Sequence, residues 1–139
     1  MRKIPLQFLS TFIFICLFSF NLFAKETDQT IQTRISSNGH YTVSIESEIK
    51  PLRLGKLHAW SAEIKDDNGK PVEGAKIKIS GGMPTHNHGF PTEPAMTIQI
   101  EPGKYLLEGF KFNMRGPWVI FLDIDANEKS DNVAFDINM

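Results

Sequence analysis

The chain has 139 residues, with 15 lysines and arginines against 16 aspartates and glutamates and a formal net charge of −1 at pH 7. No basic face is evident in the sequence, so a nucleic-acid partner is not expected. The single cysteine, Cys16, lies within an apolar N-terminal stretch.

Residues 1–24 have the pattern of a secretory signal peptide. Arg2 and Lys3 form a basic start, an apolar stretch follows, and Ala24 is a small residue at a suitable cleavage position. The apolar stretch is too short and too interrupted for a transmembrane helix, which needs about 20 apolar residues. We therefore expect a periplasmic or secreted protein with no membrane span after cleavage at Ala24.

Cleavage at Ala24 would leave a chain without cysteine that fits a single domain of roughly 100–150 residues. Such a chain cannot contain a disulfide, a thiolate nucleophile, a zinc finger or a blue-copper centre, since each needs cysteine. Residues 25–38 are polar, and we expect them to form a flexible N-terminal arm. The remaining residues, 39–139, are expected to form one folded domain.

The predicted domain consists of about seven β-strands, because short alternating apolar runs follow one another with turn signals every 8–12 residues or so. Strong turn signals include the DDNGK segment at 66–70 and the Pro102-Gly103 pair. No long helical pattern occurs. This spacing favours an all-β, immunoglobulin-like antiparallel β-sandwich. The predicted strands span residues 40–46, 52–64, 71–80, 96–101, 104–112, 118–124 and 133–137.

The loop GGMPTHNHGF, residues 81–90, contains two of the four histidines of the chain, His86 and His88, together with Met83. In an extended segment, residues i and i+2 point the same way, so two imidazoles at this spacing can reach one ion. Imidazole suits copper, zinc, nickel and iron, whereas a thioether favours Cu(I). Zinc is not expected, because its usual ligands are cysteine, histidine and carboxylate.

A second thioether, Met114, precedes the Gly116-Pro117 break, at a strand end where a sandwich gathers its loops. We therefore predict a Cu(I) site made of Met83, His86, His88 and Met114. The structural alternative is that both methionines pack in the core and the two histidines are solvated. His40 and His58 are expected to be exposed or structural.

Catalysis is not expected. No G-x-S-x-G motif occurs. Residues 123–134 begin like a calcium loop, but Glu128 replaces the turn glycine and Ala134 the terminal glutamate, so we predict a polar hairpin. The competing hypothesis to a copper carrier or buffer is a metal-free, immunoglobulin-like interaction module of an envelope complex.

Segments across residues 52–125 resemble the YtkA-like family of small exported β-sandwich domains, which is related to FixH-like proteins. The matching elements are Met83-Pro84, His86-x-His88-Gly89, Tyr105-x-x-x-Gly109, Phe112-x-Met114-x-Gly116 and Trp118. The resemblance implies the sandwich fold and a link to copper homeostasis or oxidase maturation. It also implies, as a partner, a copper-receiving protein or another envelope protein.

Overall fold

The computed structural model describes residues 28–139, which form nine β-strands and one 3₁₀ turn. The predicted signal peptide, residues 1–24, lies outside the described residues. No helix among residues 28–139 is long and apolar enough to cross a membrane. The strands are β1 (Ile31–Ile35), β2 (Tyr41–Ser47), β3 (His58–Asp66), β4 (Lys76–Met83), β5 (His88–Gly89), β6 (Ala95–Glu101), β7 (Lys104–Phe110), β8 (Pro117–Ala126) and β9 (Lys129–Asn138).

The strands form two antiparallel sheets, which confirms the all-β sandwich. One sheet has the order β1-β2-β3-β7-β6, and the other has the order β5-β4-β8-β9. Apart from β1, the first order corresponds to the A-B-E-D sheet of an immunoglobulin-like domain, and the second corresponds to its C′-C-F-G sheet. The sequence predicted about seven strands, and the two additional ones, β1 and β5, are short.

Strand β1 lies within residues 25–38, where the sequence predicted a flexible arm, and corrects that prediction for residues 31–35. Its five residues pair in register with β2, from Ile31 opposite Glu46 to Ile35 opposite Thr42. The Gln32 side chain also donates to the carbonyl of Asp136 on the opposite sheet at 2.8 Å. Most side chains of β1 are exposed, so the strand is held by its backbone hydrogen bonds and leaves no apolar alternation in the sequence.

The core between the sheets is built from inward-facing residues, which alternate with outward-facing ones along a strand, as in β9 from Ser130 onward. Two buried tyrosines keep their hydroxyls bonded. Tyr105 donates to the Val72 carbonyl at 2.6 Å, and Tyr41 donates to the Ala126 carbonyl at 2.7 Å. These contacts connect the tyrosines to loops and strand ends and satisfy both tyrosine hydroxyls.

The β8–β9 hairpin confirms the polar hairpin predicted for residues 123–134. Asn127 and Glu128 both have positive φ, at 50° and 60°, which is the conformation of a two-residue type I′ turn. Beside this hairpin, Asp131 is buried and accepts hydrogen bonds from the Ser36 hydroxyl at 2.6 Å and from the backbone amides of Asn38, His40 and Asn132. Asp131 therefore anchors the β1–β2 turn to the second sheet.

Candidate metal site at the loop end of the sandwich

The histidine loop is a tight reversal between β4 and β5. Pro84–His86 form one 3₁₀ turn, and Asn87 has left-handed backbone angles while its amide donates to the Pro84 carbonyl at 3.2 Å. The chain then returns antiparallel, with Gly89 opposite Gly82 and His88 opposite Met83. The two histidines thus flank a left-handed residue and do not share the extended segment assumed from the sequence.

The reversal nevertheless brings the two imidazoles together. Both histidines are exposed, and their ring centres are 6.0 Å apart. An ion bound at about 2.0–2.1 Å from one nitrogen of each ring would hold the ring centres roughly 5–6 Å apart. The spacing of His86 and His88 is therefore compatible with a shared ion after a small adjustment.

One nitrogen of His88 is fixed by the backbone. Its Nδ1 lies 2.9 Å from the Gly89 carbonyl, and because a carbonyl oxygen only accepts, Nδ1 must donate. In the neutral ring this leaves Nε2 as the free acceptor, the arrangement found in many metal-binding histidines. The ring also packs edge-on against Trp118, with centroids 5.8 Å apart.

Met114 lies at the same end, in the 111–116 loop. The Trp118 indole Nε1 donates to the Met114 carbonyl at 3.0 Å, which connects this loop to the ring that contacts His88. The Met114 side chain is 38% exposed. The histidine loop and the 111–116 loop thus both contact Trp118.

Met83 occupies a different environment from the other three predicted ligands. It is fully buried in the hydrophobic core, and its terminal methyl lies close enough to Gly116 that a Cβ added there would be 3.2 Å away. Met83 is separated from Ile77 and Ile79 by even numbers of residues along β4, so the sequence places all three on the same face of the strand. Met83 therefore approaches the loop end from the protein interior.

An aromatic layer supports the site from below, and the sequence analysis did not predict it. Phe90 stacks on Trp118 with an interplanar angle of 9° and a centroid distance of 5.9 Å, and Phe112 packs edge-on against the same indole at 5.3 Å. Phe110 contacts Phe90 at 5.7 Å. These ring contacts connect His88 at the surface, through Trp118, to the buried core.

A groove of about 410 Å³ opens beside the histidine loop, with Met83, Asn87 and His88 in its lining. Among residues 28–139, no group of three or more His, Cys, Asp and Glu side chains is arranged to hold a metal ion. A metal bound at this end would therefore depend on thioether sulfur as well as on the two imidazoles.

His58 is the buried histidine of this end, and it has the structural role that was one of the two expected for it. Its Nδ1 lies 2.9 Å from the Lys56 carbonyl, and its Nε2 accepts a hydrogen bond from Trp60 Nε1 at 3.0 Å. The ring is therefore neutral, with the proton on Nδ1. Desolvation by burial lowers the pKa of His58, and the hydrogen bond to Lys56 only partly opposes this effect.

We expect the burial of His58 to make the domain less stable in mild acid. Since the pKa of this side chain is lower in the folded state than in the unfolded state, its contribution is complete above the unfolded value of about 6.5 and is lost as pH falls below it. Urea unfolding at pH 7.5 and pH 5.0 measures the effect. The His58→Gln variant should lose this part of the pH dependence, and an unchanged slope in the variant would refute the assignment.

The chain has similarities to known proteins in sequence and in structure. A solved structure, the ZirS C-terminal domain, aligns with all of this chain and 85% of its own, at 16% identity and a TM-score of 0.46. No curated protein matches the chain significantly. The sequence model of the YtkA-like family matches residues 36–123, which is more than half of the chain and includes the histidine loop and Met114. The chain therefore belongs to the YtkA-like family.

Proposed function

We propose that this domain is a non-enzymatic copper-binding module that carries or buffers one Cu(I) ion at the loop end of the sandwich. His86, His88 and Met114 would be the solvent-accessible ligands, and Met83 would supply a second sulfur from the buried side. We further propose that the protein acts after export, in the periplasm or outside the cell, in copper homeostasis or oxidase maturation.

The observation that carries this proposal is that the two loops bearing the candidate donors meet at Trp118. His88 packs against its ring, the backbone carbonyl of Met114 accepts a hydrogen bond from its indole nitrogen, and His86 lies 6.0 Å from His88 between ring centres. A donor set that combines thioether sulfur with imidazole favours Cu(I) over harder divalent ions. Copper(II) is the main competitor, because imidazole sites also attract it.

The exposure of three of the four proposed donors supports a carrier or buffer in preference to a permanent cofactor site. A partner could approach His86, His88 or Met114 from solvent and displace one ligand at a time. Methionine binds without losing a proton, so a mixed site should retain its metal in mild acid better than one made only of histidines.

Anaerobic Cu(I) titration of the purified protein against a competing chromophoric chelator tests this function. We expect stoichiometric binding, and we expect His86→Ala/His88→Ala to weaken it at least a hundredfold, or about 2.7 kcal/mol, because half of the donor set is lost. His40→Ala removes a histidine that lies outside the histidine loop and outside the candidate donor set, and it is the control that should retain binding.

Replacing each methionine separately with leucine tests whether its sulfur is a copper ligand. Met114→Leu keeps the shape of an exposed side chain, and Met83→Leu conserves the volume of a buried one.

Equal affinity in the wild type and in the His86→Ala/His88→Ala variant would overturn the proposal and leave the metal-free interaction module as the remaining function.

A further inference from the structure

A second cavity, distinct from the groove beside the histidines, lies at the same end of the sandwich. It has a volume of about 330 Å³ and is formed where the 52–54 segment meets the end of β9. The lining residues are Leu52, Arg53, Leu54, Arg115, Asn138 and Met139, and we call this the basic cavity.

Backbone hydrogen bonds hold the walls of the basic cavity in place. The Gly55 amide donates to the Phe112 carbonyl at 2.7 Å, which fixes the loop after β2 against the loop after β7. Gly116 and Met139 exchange two hydrogen bonds, at 2.8 and 3.0 Å, which fixes Arg115 beside the end of β9. The cavity is therefore a defined feature of the fold.

The charge around the basic cavity is opposite to that of the domain. Residues 28–139 carry twelve lysines and arginines against fifteen aspartates and glutamates, a net charge of −3. Loops 48–57 and 111–116 contain five of those cations and a single anion, Glu48. Within the described part of the chain, neither Arg53 nor Arg115 forms an ion pair, and both are exposed.

The chemistry of the lining selects a carboxylate next to an apolar group. A guanidinium offers a planar pair of donors that matches a carboxylate, and arginine is enriched among the residues that dominate protein–protein binding. Leu52, Leu54 and Met139 supply apolar surface between the two arginines, and Leu54 is 40% exposed.

We propose that the basic cavity is the docking site for a partner protein, which inserts an acidic segment with an apolar side chain beside its carboxylates. The purpose of this docking rests on the proposed copper function. Arg115 directly follows the candidate ligand Met114, so the docking site lies beside the proposed copper site. A partner anchored there would present its own ligands next to the exposed sulfur. Charge complementarity would also accelerate the encounter at low salt.

A protein segment fits this site better than an anionic membrane surface. Both arginines line a concave cavity bounded by three chain segments, and apolar residues complete its lining. Binding at a membrane surface depends on apolar side chains that project into the lipid, with cations around them. The concave shape therefore favours a ligand that enters the cavity.

The test uses the purified protein, labelled with nitrogen-15 and free of copper. It is titrated with a short synthetic peptide of alternating glutamate and leucine, and amide chemical shifts are recorded. We expect saturable shifts at Arg53, Leu54 and Arg115. The Arg53→Gln/Arg115→Gln variant should bind the peptide at least tenfold more weakly.

Two controls isolate the site from general electrostatics. Arg34→Gln/Lys70→Gln makes the same change in charge at exposed positions outside the cavity and should change the affinity less than twofold. A peptide with glutamine in place of glutamate should not bind. Equal losses in both double variants, or no saturable shift, would overturn the proposal. Binding to phosphatidylglycerol vesicles without binding to the peptide would also overturn it, in favour of a membrane contact.

This experiment is independent of the copper proposal. The His86→Ala/His88→Ala variant should bind the peptide as the wild type does, because neither histidine lines the cavity. Loss of copper binding with retained peptide binding would refute only the metal site. Retained copper binding with no peptide binding would refute only the docking site.

Discussion

Replacing Gly82 with alanine is expected to lower the free energy of unfolding by about 3–5 kcal/mol and to displace His88 from the candidate site. A Cβ at this position would lie 2.2 Å from the His88 carbonyl oxygen and 2.5 Å from the Gly89 Cα, and both are backbone atoms that cannot rotate away. The φ angle of +142° is also one that residues with a side chain rarely adopt. Strand β5 must therefore separate from β4.

Gly39→Ala is the matched control for this prediction. Gly39 also has a positive φ, +77°, but nothing lies within 4 Å of an added Cβ, so only the left-handed backbone cost of about 1–2 kcal/mol remains. Urea unfolding gives both stabilities, and the amide shift of Gly89 reports whether β5 is paired. A Gly82→Ala variant with wild-type stability and an unchanged Gly89 shift would contradict the packing of the histidine loop.

Asp131→Ala is expected to lower the free energy of unfolding by about 2–4 kcal/mol, because buried hydrogen bonds to a charged group are strong and their donors would lose their acceptor. The carboxylate accepts bonds from Ser36 Oγ and from the amides of Asn38, His40 and Asn132. Burial alone would raise the pKa of Asp131, but these hydrogen bonds outweigh it and lower the pKa to about 2.

The lowered pKa of Asp131 also predicts how the stability of the domain changes at acidic pH. Its contribution is complete above the unfolded value of about 3.9 and is lost as pH falls toward 2, because the unfolded chain binds the proton first. Asp131→Asn keeps the shape and one carbonyl oxygen, so it should destabilise less than alanine and should remove this acid dependence. Denaturant unfolding between pH 7 and pH 2.5 measures both effects, and equal stability of Asp131→Ala and the wild type at pH 7 would refute the role.

Most of the strands that the sequence predicted correctly have one buried face. Val43 and Ile45 alternate with less buried residues in β2, and Val133, Phe135 and Ile137 alternate with exposed ones in β9. Strand β6 was predicted from the same alternation, although Ile98 and Ile100 are exposed. Strand β1 was missed because it contributes backbone hydrogen bonds and almost no buried side chains. The predicted strand at 52–64 begins only at His58, since Leu54 and Leu57 are 40% and 59% exposed in a loop.

The candidate site was predictable where it depended on local chemistry. The spacing of His86 and His88 indicated two imidazoles in one loop, and the Gly116-Pro117 break placed Met114 near a strand end. The burial of Met83 could have been found from its register with Ile77. The aromatic layer could not be predicted from the sequence, because Phe90, Phe112 and Trp118 meet only after β4, β7 and β8 have paired with strands that are distant in the sequence.

X-ray absorption spectroscopy at the copper edge of the Cu(I)-loaded protein tests the central claim most directly. The account predicts a first shell that contains both imidazole nitrogen and thioether sulfur, with less sulfur in the Met114→Leu variant and less imidazole in the His86→Ala/His88→Ala variant. A shell of nitrogen or oxygen alone, unchanged by either substitution, would contradict it.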